Sequence, residues 1–88
     1  MYPASSRDVA LWVPEGVSVE AVEAVIASVA GDLCVRLTHL DTFTKEGRTS
    51  YAFRLVFQSF TKTLTDEEIQ PVMDTIYSTL TNKGWEAR

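Results

Sequence analysis

Residues 50–58 read Ser-Tyr-Ala-Phe-Arg-Leu-Val-Phe-Gln, and large apolar side chains occupy every second position of this stretch. Such alternation is typical of a β-strand with one buried face. The pattern therefore predicts a strand whose inward face carries four large side chains, Tyr51, Phe53, Leu55 and Phe57. The opposite face carries Ala52, Arg54, Val56 and Gln58.

Two further stretches show strand patterns. Asp8 to Val13 alternates in the same way and stops at Pro14 and Gly16. Leu33 to Phe43 predicts a second, longer strand, whose alternation changes parity near His39 and Leu40 and so indicates a β-bulge. Lys45-Glu-Gly-Arg48 is typical of the turn that joins this strand to the next.

Helical periodicity fills the two gaps between these strands. Ser18 is a candidate N-cap for a helix whose apolar positions recur every three or four residues up to Gly31. Thr65-Asp-Glu-Glu68 has the residue types of a capping box at the start of a second helix, which ends at Gly84. Residues 85–88 leave room only for a short last strand.

The predicted element order is βαββαβ, and it favours an α+β, ferredoxin-like fold with a four-stranded antiparallel sheet and two helices on one face. Right-handed crossovers place the first and third strands at the centre of the sheet. The core is predicted to contain Val9, Leu11, Val22, Ile26, Val29, Tyr51, Phe53, Leu55, Phe57, Ile69, Met73, Ile76 and Leu80. The sheet face away from the helices is predicted to carry Asp8, Ala10, Trp12, Ser50, Ala52, Arg54, Val56 and Gln58.

The composition is that of one small globular domain of 88 residues, 45% of them hydrophobic. No apolar run approaches the roughly 20 residues that cross a bilayer. Cys34 is the only cysteine, so an internal disulfide and a cysteine cage for zinc or an iron–sulfur cluster are excluded. A cytoplasmic setting is expected, with an organellar matrix as the alternative.

The net charge of −4 is unevenly distributed. Between Leu33 and Thr63 five basic residues face two acidic ones, whereas the rest of the chain holds three basic and ten acidic residues. The predicted helices carry most of these acids. A basic sheet backed by acidic helices would attract phosphate groups despite the negative total.

The sequence offers little for catalysis. His39 is the sole histidine, and Gly16, Gly31, Gly47 and Gly84 are too isolated to form a phosphate-binding loop. The acids Asp66 to Glu68 belong to a helix N-terminus, where they stabilise the helix dipole. We therefore predict no catalytic residue, no metal site and no cofactor in this chain.

The outward sheet face, unlike the positions considered for catalysis, carries residue types suited to binding. Ala10 and Ala52 would leave flat backbone exposed between Trp12 and Arg54, whose indole and guanidinium planes can stack on unpaired bases. Two structural alternatives remain: Arg54 can pair with Asp8 across the strands, and Trp12 can pack under the Pro14 turn.

Four motifs resemble the C-terminal anticodon-binding domain of phenylalanyl-tRNA synthetases, in order and over almost the whole chain. They are Tyr2-Pro-Ala4 with Arg7-Asp-Val-Ala-Leu11, Gly31-Asp-Leu33 with Leu40-Asp-Thr-Phe43, Ser50 to Phe57, and Thr63-Leu-Thr-Asp-Glu-Glu-Ile69. Two departures are the short loop Thr44–Thr49, which looks closer to the single-chain organellar type, and the bulky Trp85 in the tail.

The resemblance implies an RNA-recognition module that binds the anticodon region of phenylalanine tRNA. ATP and Mg²⁺ would be handled by a separate catalytic domain or subunit of the parent synthetase, from which residues 1–88 would be one excised, monomeric domain. Carried over by position, the expected RNA contacts are Arg7, Asp8, Ala10, Trp12, His39, Arg48 and Arg54. Asp41 either joins this surface or braces the neighbouring turn.

Two other classes of protein share this predicted fold. Ligand-sensing or dimerising regulatory modules hold small molecules in the loop after the first strand, but Pro14-Glu-Gly-Val17 offers little to hold an anion. Acylphosphatase-like enzymes need an anion-cradling loop rich in glycine and arginine at the same place, and this chain lacks it.

Overall fold

The computed structural model describes residues 4–87 and contains the six predicted elements in the predicted order. They are β1 (Ser5–Pro14), α1 (Val19–Ala30), β2 (Cys34–Lys45), β3 (Arg48–Phe57), α2 (Asp66–Asn82) and β4 (Glu86–Ala87). Tyr2 and Pro3 of the first motif, and Arg88 of the last predicted strand, lie outside the described residues.

The four strands form one antiparallel sheet in the order β2-β3-β1-β4. The first and third strands are therefore central, as predicted. β4 pairs with β1 only through Leu11 opposite Ala87 and Trp12 opposite Glu86. The long edge strand β2 and the short edge strand β4 bound the sheet on its two sides.

The two helices begin where their caps predict. The Ser18 hydroxyl accepts a hydrogen bond from the Ala21 N–H at 3.1 Å, and the Glu68 carboxylate accepts one from the Thr65 N–H at 3.3 Å. Gly31 follows α1 with a φ of 77°, a conformation that costs glycine little. Local sequence thus sets the helix boundaries.

The core lies between the helices and the odd-numbered side chains of β1 and β3. Phe53, Leu55, Phe57, Leu11, Val22, Ile26 and Ile76 are fully buried there. Every predicted core residue is buried except Val29, which is partly exposed and packs against the cluster. Val13, Ala30 and Leu64 are additional core members.

The opposite face of the sheet, called the outer face below, is built from five cross-strand rows. From one end to the other, and from β2 through β3 to β1, they are Arg36–Val56–Ser6, Thr38–Arg54–Asp8, Asp41–Ala52–Ala10, Phe43–Ser50–Trp12 and Lys45–Arg48–Pro14. The predicted outward residues of β1 and β3 lie in these rows except Gln58, which follows the end of β3. Five residues of β2 that the sequence alone did not assign complete the rows.

β2 contains two register shifts, between Cys34 and Arg36 and between His39 and Asp41. The second is the predicted bulge, and the first was not predicted. Each extra residue reverses which side chains face outward. The bulge at Leu40 therefore turns Asp41 and Phe43 onto the outer face and leaves Thr42 on the helix side with Tyr51.

Candidate nucleic-acid interface

Small side chains form the floor of the outer face. Ala10 and Ala52 lie opposite each other on the two central strands and are both partly exposed. A methyl group in each place keeps the surface flat, so a planar group can lie close to the backbone. This is the arrangement that the alternation of β1 and β3 predicts.

Aromatic rings rise beside this floor. Trp12 and Phe43 flank Ser50 in one row, and their ring centroids are 6.1 Å apart in an edge-on arrangement with planes at 65°. Phe43 is 51% exposed although it is a large apolar residue, while Ser50 beneath the rings is only 1% exposed. Sequence reasoning missed Phe43 as a site residue; the parity change near Leu40 was the signal that could have found it.

Arg48 covers part of the indole. Its guanidinium carbon lies 5.1 Å from the Trp12 ring centroid, a cation–π distance, and Nη1 donates a hydrogen bond to Glu86 Oε2 at 2.9 Å. Trp12 thus packs between Arg48 and Phe43. The indole therefore has a packing role within the sheet surface, where it is partly exposed beside Phe43 and Arg48.

Arg54 on β3 pairs with Asp8 on β1, which is the cross-strand pair considered from the sequence. Nε donates to one carboxylate oxygen at 2.9 Å and Nη2 to the other at 3.2 Å, so the pair is bidentate. These hydrogen bonds lower the pKa of Asp8 below its usual range. Asp8 therefore stays ionised, and the pair intact, down to more acidic pH than an isolated aspartate would allow.

Two of the predicted RNA contacts, Arg7 and His39, lie on the helix side of the sheet. Arg7 has the odd parity of Val9 and Leu11, so it lies on the helix side, where it forms an ion pair with Asp66 at the start of α2. His39 also lies on the helix side, 5.8 Å and 5.5 Å from the rings of Tyr51 and Phe53. The structure does not bring either residue to the outer face.

The remaining five predicted residues, Asp8, Ala10, Trp12, Arg48 and Arg54, do come together on the outer face. Asp41 joins them in the row of the two alanines, and its carboxylate accepts a hydrogen bond from the Thr42 N–H at 2.9 Å. Asp41 therefore belongs to the outer face, and its carboxylate bonds within its own strand.

The charge of the outer face is mixed. Its rows and the adjoining β4 carry four basic residues, Arg36, Lys45, Arg48 and Arg54, against three acidic ones, Asp8, Asp41 and Glu86. The fifth basic residue of the 33–63 stretch, Lys62, pairs with Glu68 at the start of α2 instead. The face is therefore less basic than the sequence suggested.

Within residues 4–87, no group of three His, Cys, Asp or Glu side chains is placed to hold a metal ion. No helix in the same range is long and apolar enough to cross a membrane.

Burial raises the pKa of the Cys34 thiol, which makes it less nucleophilic.

Comparison of the whole sequence with known protein families agrees with the geometry of the outer face. Residues 1–88 match the family described as the ferredoxin-fold anticodon binding domain. The chain belongs to this family. The anticodon-binding domain is a binding region and not the catalytic region of the ligases that contain it.

Relatives of the chain are phenylalanine–tRNA ligases. The β subunit from Symbiobacterium thermophilum is 36% identical over 99% of this chain, and the β subunit from Deinococcus radiodurans is 37% identical over 98%. The mitochondrial enzyme of Saccharomyces cerevisiae is 36% identical over 90% of the chain. Bacterial and organellar types thus match at similar identity.

The chain spans about a tenth of the length of the bacterial β subunits and 19% of the yeast enzyme. The comparisons support the anticodon-binding function and give no support to a ligand-sensing or dimerising module.

Proposed function

We propose that this anticodon-binding domain holds the unpaired bases of the anticodon loop of phenylalanine tRNA on its outer face. The observation that carries the proposal is the row of Trp12, Ser50 and Phe43 beside the Ala10–Ala52 floor. A half-exposed phenylalanine ring next to flat backbone is a surface on which a base can stack. Base–aromatic stacking contributes roughly 1–3 kcal/mol per base.

The proposal assigns different roles to the predicted site residues. Phe43 and Trp12 supply stacking surfaces, and Ala10 and Ala52 permit close approach. Arg54 and Arg48 present guanidinium planes that Asp8 and Glu86 hold in place. Arg7 and His39 are not part of this surface.

We also propose that the domain works as part of a longer synthetase in the cytoplasm or in an organelle. The lengths and names of the relatives support this. ATP, Mg²⁺ and phenylalanine would then be handled by a catalytic domain or subunit outside residues 1–88, and the domain would contribute tRNA binding.

The test is a binding titration of an RNA hairpin carrying the anticodon loop of phenylalanine tRNA. Phe43→Ala and Trp12→Ala should each weaken binding by roughly 1–3 kcal/mol. Phe60→Ala is the matched control, because Phe60 is 78% exposed but lies in the connection between β3 and α2, outside the five rows. A hairpin with an unrelated loop controls for non-specific binding.

Unchanged affinity in both Phe43→Ala and Trp12→Ala, with both variants folded, would show that bases do not stack on this row. Equal losses in Phe60→Ala would show that the measurement reports general hydrophobic contact.

A further inference from the structure

Four of the seven basic residues described by the structure already have a carboxylate partner. Arg7 pairs with Asp66, Arg48 with Glu86, Arg54 with Asp8, and Lys62 with Glu68. Within residues 4–87, the basic side chains without an ion pair are Arg36, Lys45 and Lys83.

Two of these three lie on the outer face, at opposite ends of the same edge strand. Arg36 belongs to the first row and Lys45 to the last, and both are exposed. With a rise of ~3.3 Å per residue and one residue taken up by the bulge at Leu40, about 26 Å of strand separates them. This length accommodates several nucleotides of an extended single strand.

An unpaired cation contributes more to RNA binding than a paired one. Binding of phosphates by Lys and Arg releases the counterions condensed on the nucleic acid, and that release drives association at low salt. A phosphate that approaches Arg54 or Arg48 also meets the carboxylate of Asp8 or Glu86, which repels it. The favourable phosphate positions are therefore beside Arg36 and Lys45.

We propose that the phosphate backbone of the bound RNA runs along the β2 edge of the outer face, with contacts at Arg36 and Lys45. The bases then lie beside Phe43 on the same strand and point across the sheet, toward the Ala10–Ala52 floor. This path rests on the proposed function, because it assumes that the outer face binds single-stranded RNA. Asp41 lies between the two cations and confines the phosphate contacts to the ends of the strand.

The salt dependence of binding tests this path. The probe is the RNA hairpin with the anticodon loop of phenylalanine tRNA, titrated by fluorescence anisotropy from ~50 mM to ~200 mM salt. Arg36→Gln and Lys45→Gln should each reduce the slope of log K against log salt by about 0.7, the value for one phosphate contact on a single strand. Each variant should bind about 5- to 10-fold more weakly at ~50 mM salt, and the difference should shrink as salt rises.

Lys83→Gln is the matched control. It removes the same charge from another unpaired cation, but Lys83 caps the C-terminus of α2 on the helix side. The slope of log K against log salt for Lys83→Gln should equal that of the parent chain. Because all three side chains are exposed, circular dichroism should show that the variants remain folded.

The outcomes separate this proposal from the proposed function. If the parent does not bind the hairpin at ~50 mM salt, the proposed function fails and the path with it. If the parent binds and Phe43→Ala weakens binding, but Arg36→Gln and Lys45→Gln keep the parental slope, only the path along β2 is wrong. If Lys83→Gln reduces the slope as much as Arg36→Gln and Lys45→Gln do, the response reflects net charge, and the proposed path is also wrong.

Discussion

Arg54 and Arg48 lie on the face that we propose binds RNA, and both are restrained by carboxylates of the same chain. Each guanidinium donates to a carboxylate of another strand: Arg54 to Asp8 on the adjacent strand β1, and Arg48 to Glu86 on β4, which lies beyond β1. The pairs hold the guanidinium planes in position, but they also neutralise charge that RNA would otherwise use. If RNA binds on this face as proposed, we expect its acidic residues to lower the affinity.

Removing either acid should therefore strengthen RNA binding. Asp8→Asn and Glu86→Gln each leave an arginine unpaired on the outer face, so the slope of log K against log salt should steepen by about 0.7. Asp66→Asn is the control, because it removes the same charge and releases Arg7 on the helix side. Salt titrations of the three variants should show the increase only for the first two. Weaker binding by Asp8→Asn would mean that holding Arg54 in place matters more than its charge.

Strand alternation alone was enough to predict much of this surface. Ala10, Ala52, Arg54 and the Arg54–Asp8 pair follow from the period of two and the antiparallel register. Arg7 was assigned by resemblance, although its parity already placed it beside Val9 on the helix side. The Arg48–Glu86 pair could not be predicted, because it depends on where the two-residue strand β4 joins β1.

At the scale of elements, the bulges of β2 decide which of its residues lie on the outer face, where we propose that RNA binds. A regular strand would place residues 40 and 42 beside the outer rows, whereas the extra residue Leu40 places Asp41 and Phe43 there. The sequence indicated a parity change near this position. It did not fix which residue is extra, since that depends on how well each side chain packs against β3.

Phe53 and Phe43 are the same residue type on opposite faces of the sheet. Their alanine variants therefore allow a matched comparison of the free energy of unfolding. Phe53 is fully buried in β3, so Phe53→Ala should destabilise the domain by about 3–5 kcal/mol through lost burial and the cavity left behind. Phe43→Ala, at a side chain that is 51% exposed, should cost much less. Urea unfolding measures both. Similar losses in the two variants would mean that the faces have been assigned incorrectly.

At the scale of the whole molecule, charge is divided between the two layers. Acidic residues open both helices, with Glu20 in the first turn of α1 and Asp66, Glu67 and Glu68 in the first turn of α2. These acids stabilise the helix dipoles and repel RNA from the helix side. A chain with a net charge of −4 can therefore bind a polyanion through one face only.

The same arrangement predicts that the domain is a monomer. Ferredoxin-like modules that dimerise by joining sheets need an exposed, regular edge strand, and β2 is the long edge of this sheet. Its two register shifts interrupt the ladder, and Arg36, Asp41 and Lys45 add charge along it. Bulges and charged side chains are the devices by which edge strands avoid pairing with a second copy.

We therefore expect one monomeric peak in gel filtration with light scattering, at a mass near 9.8 kDa that does not rise with protein concentration. Arg36→Gln combined with Lys45→Gln removes two of the three charges and provides the sharper test. If this double variant stays monomeric, the irregular ladder is sufficient to block pairing. If it dimerises, the charges supply the protection. A dimer of the parent chain would contradict the prediction and would place the β2 edge, and with it the proposed RNA path, inside a protein interface.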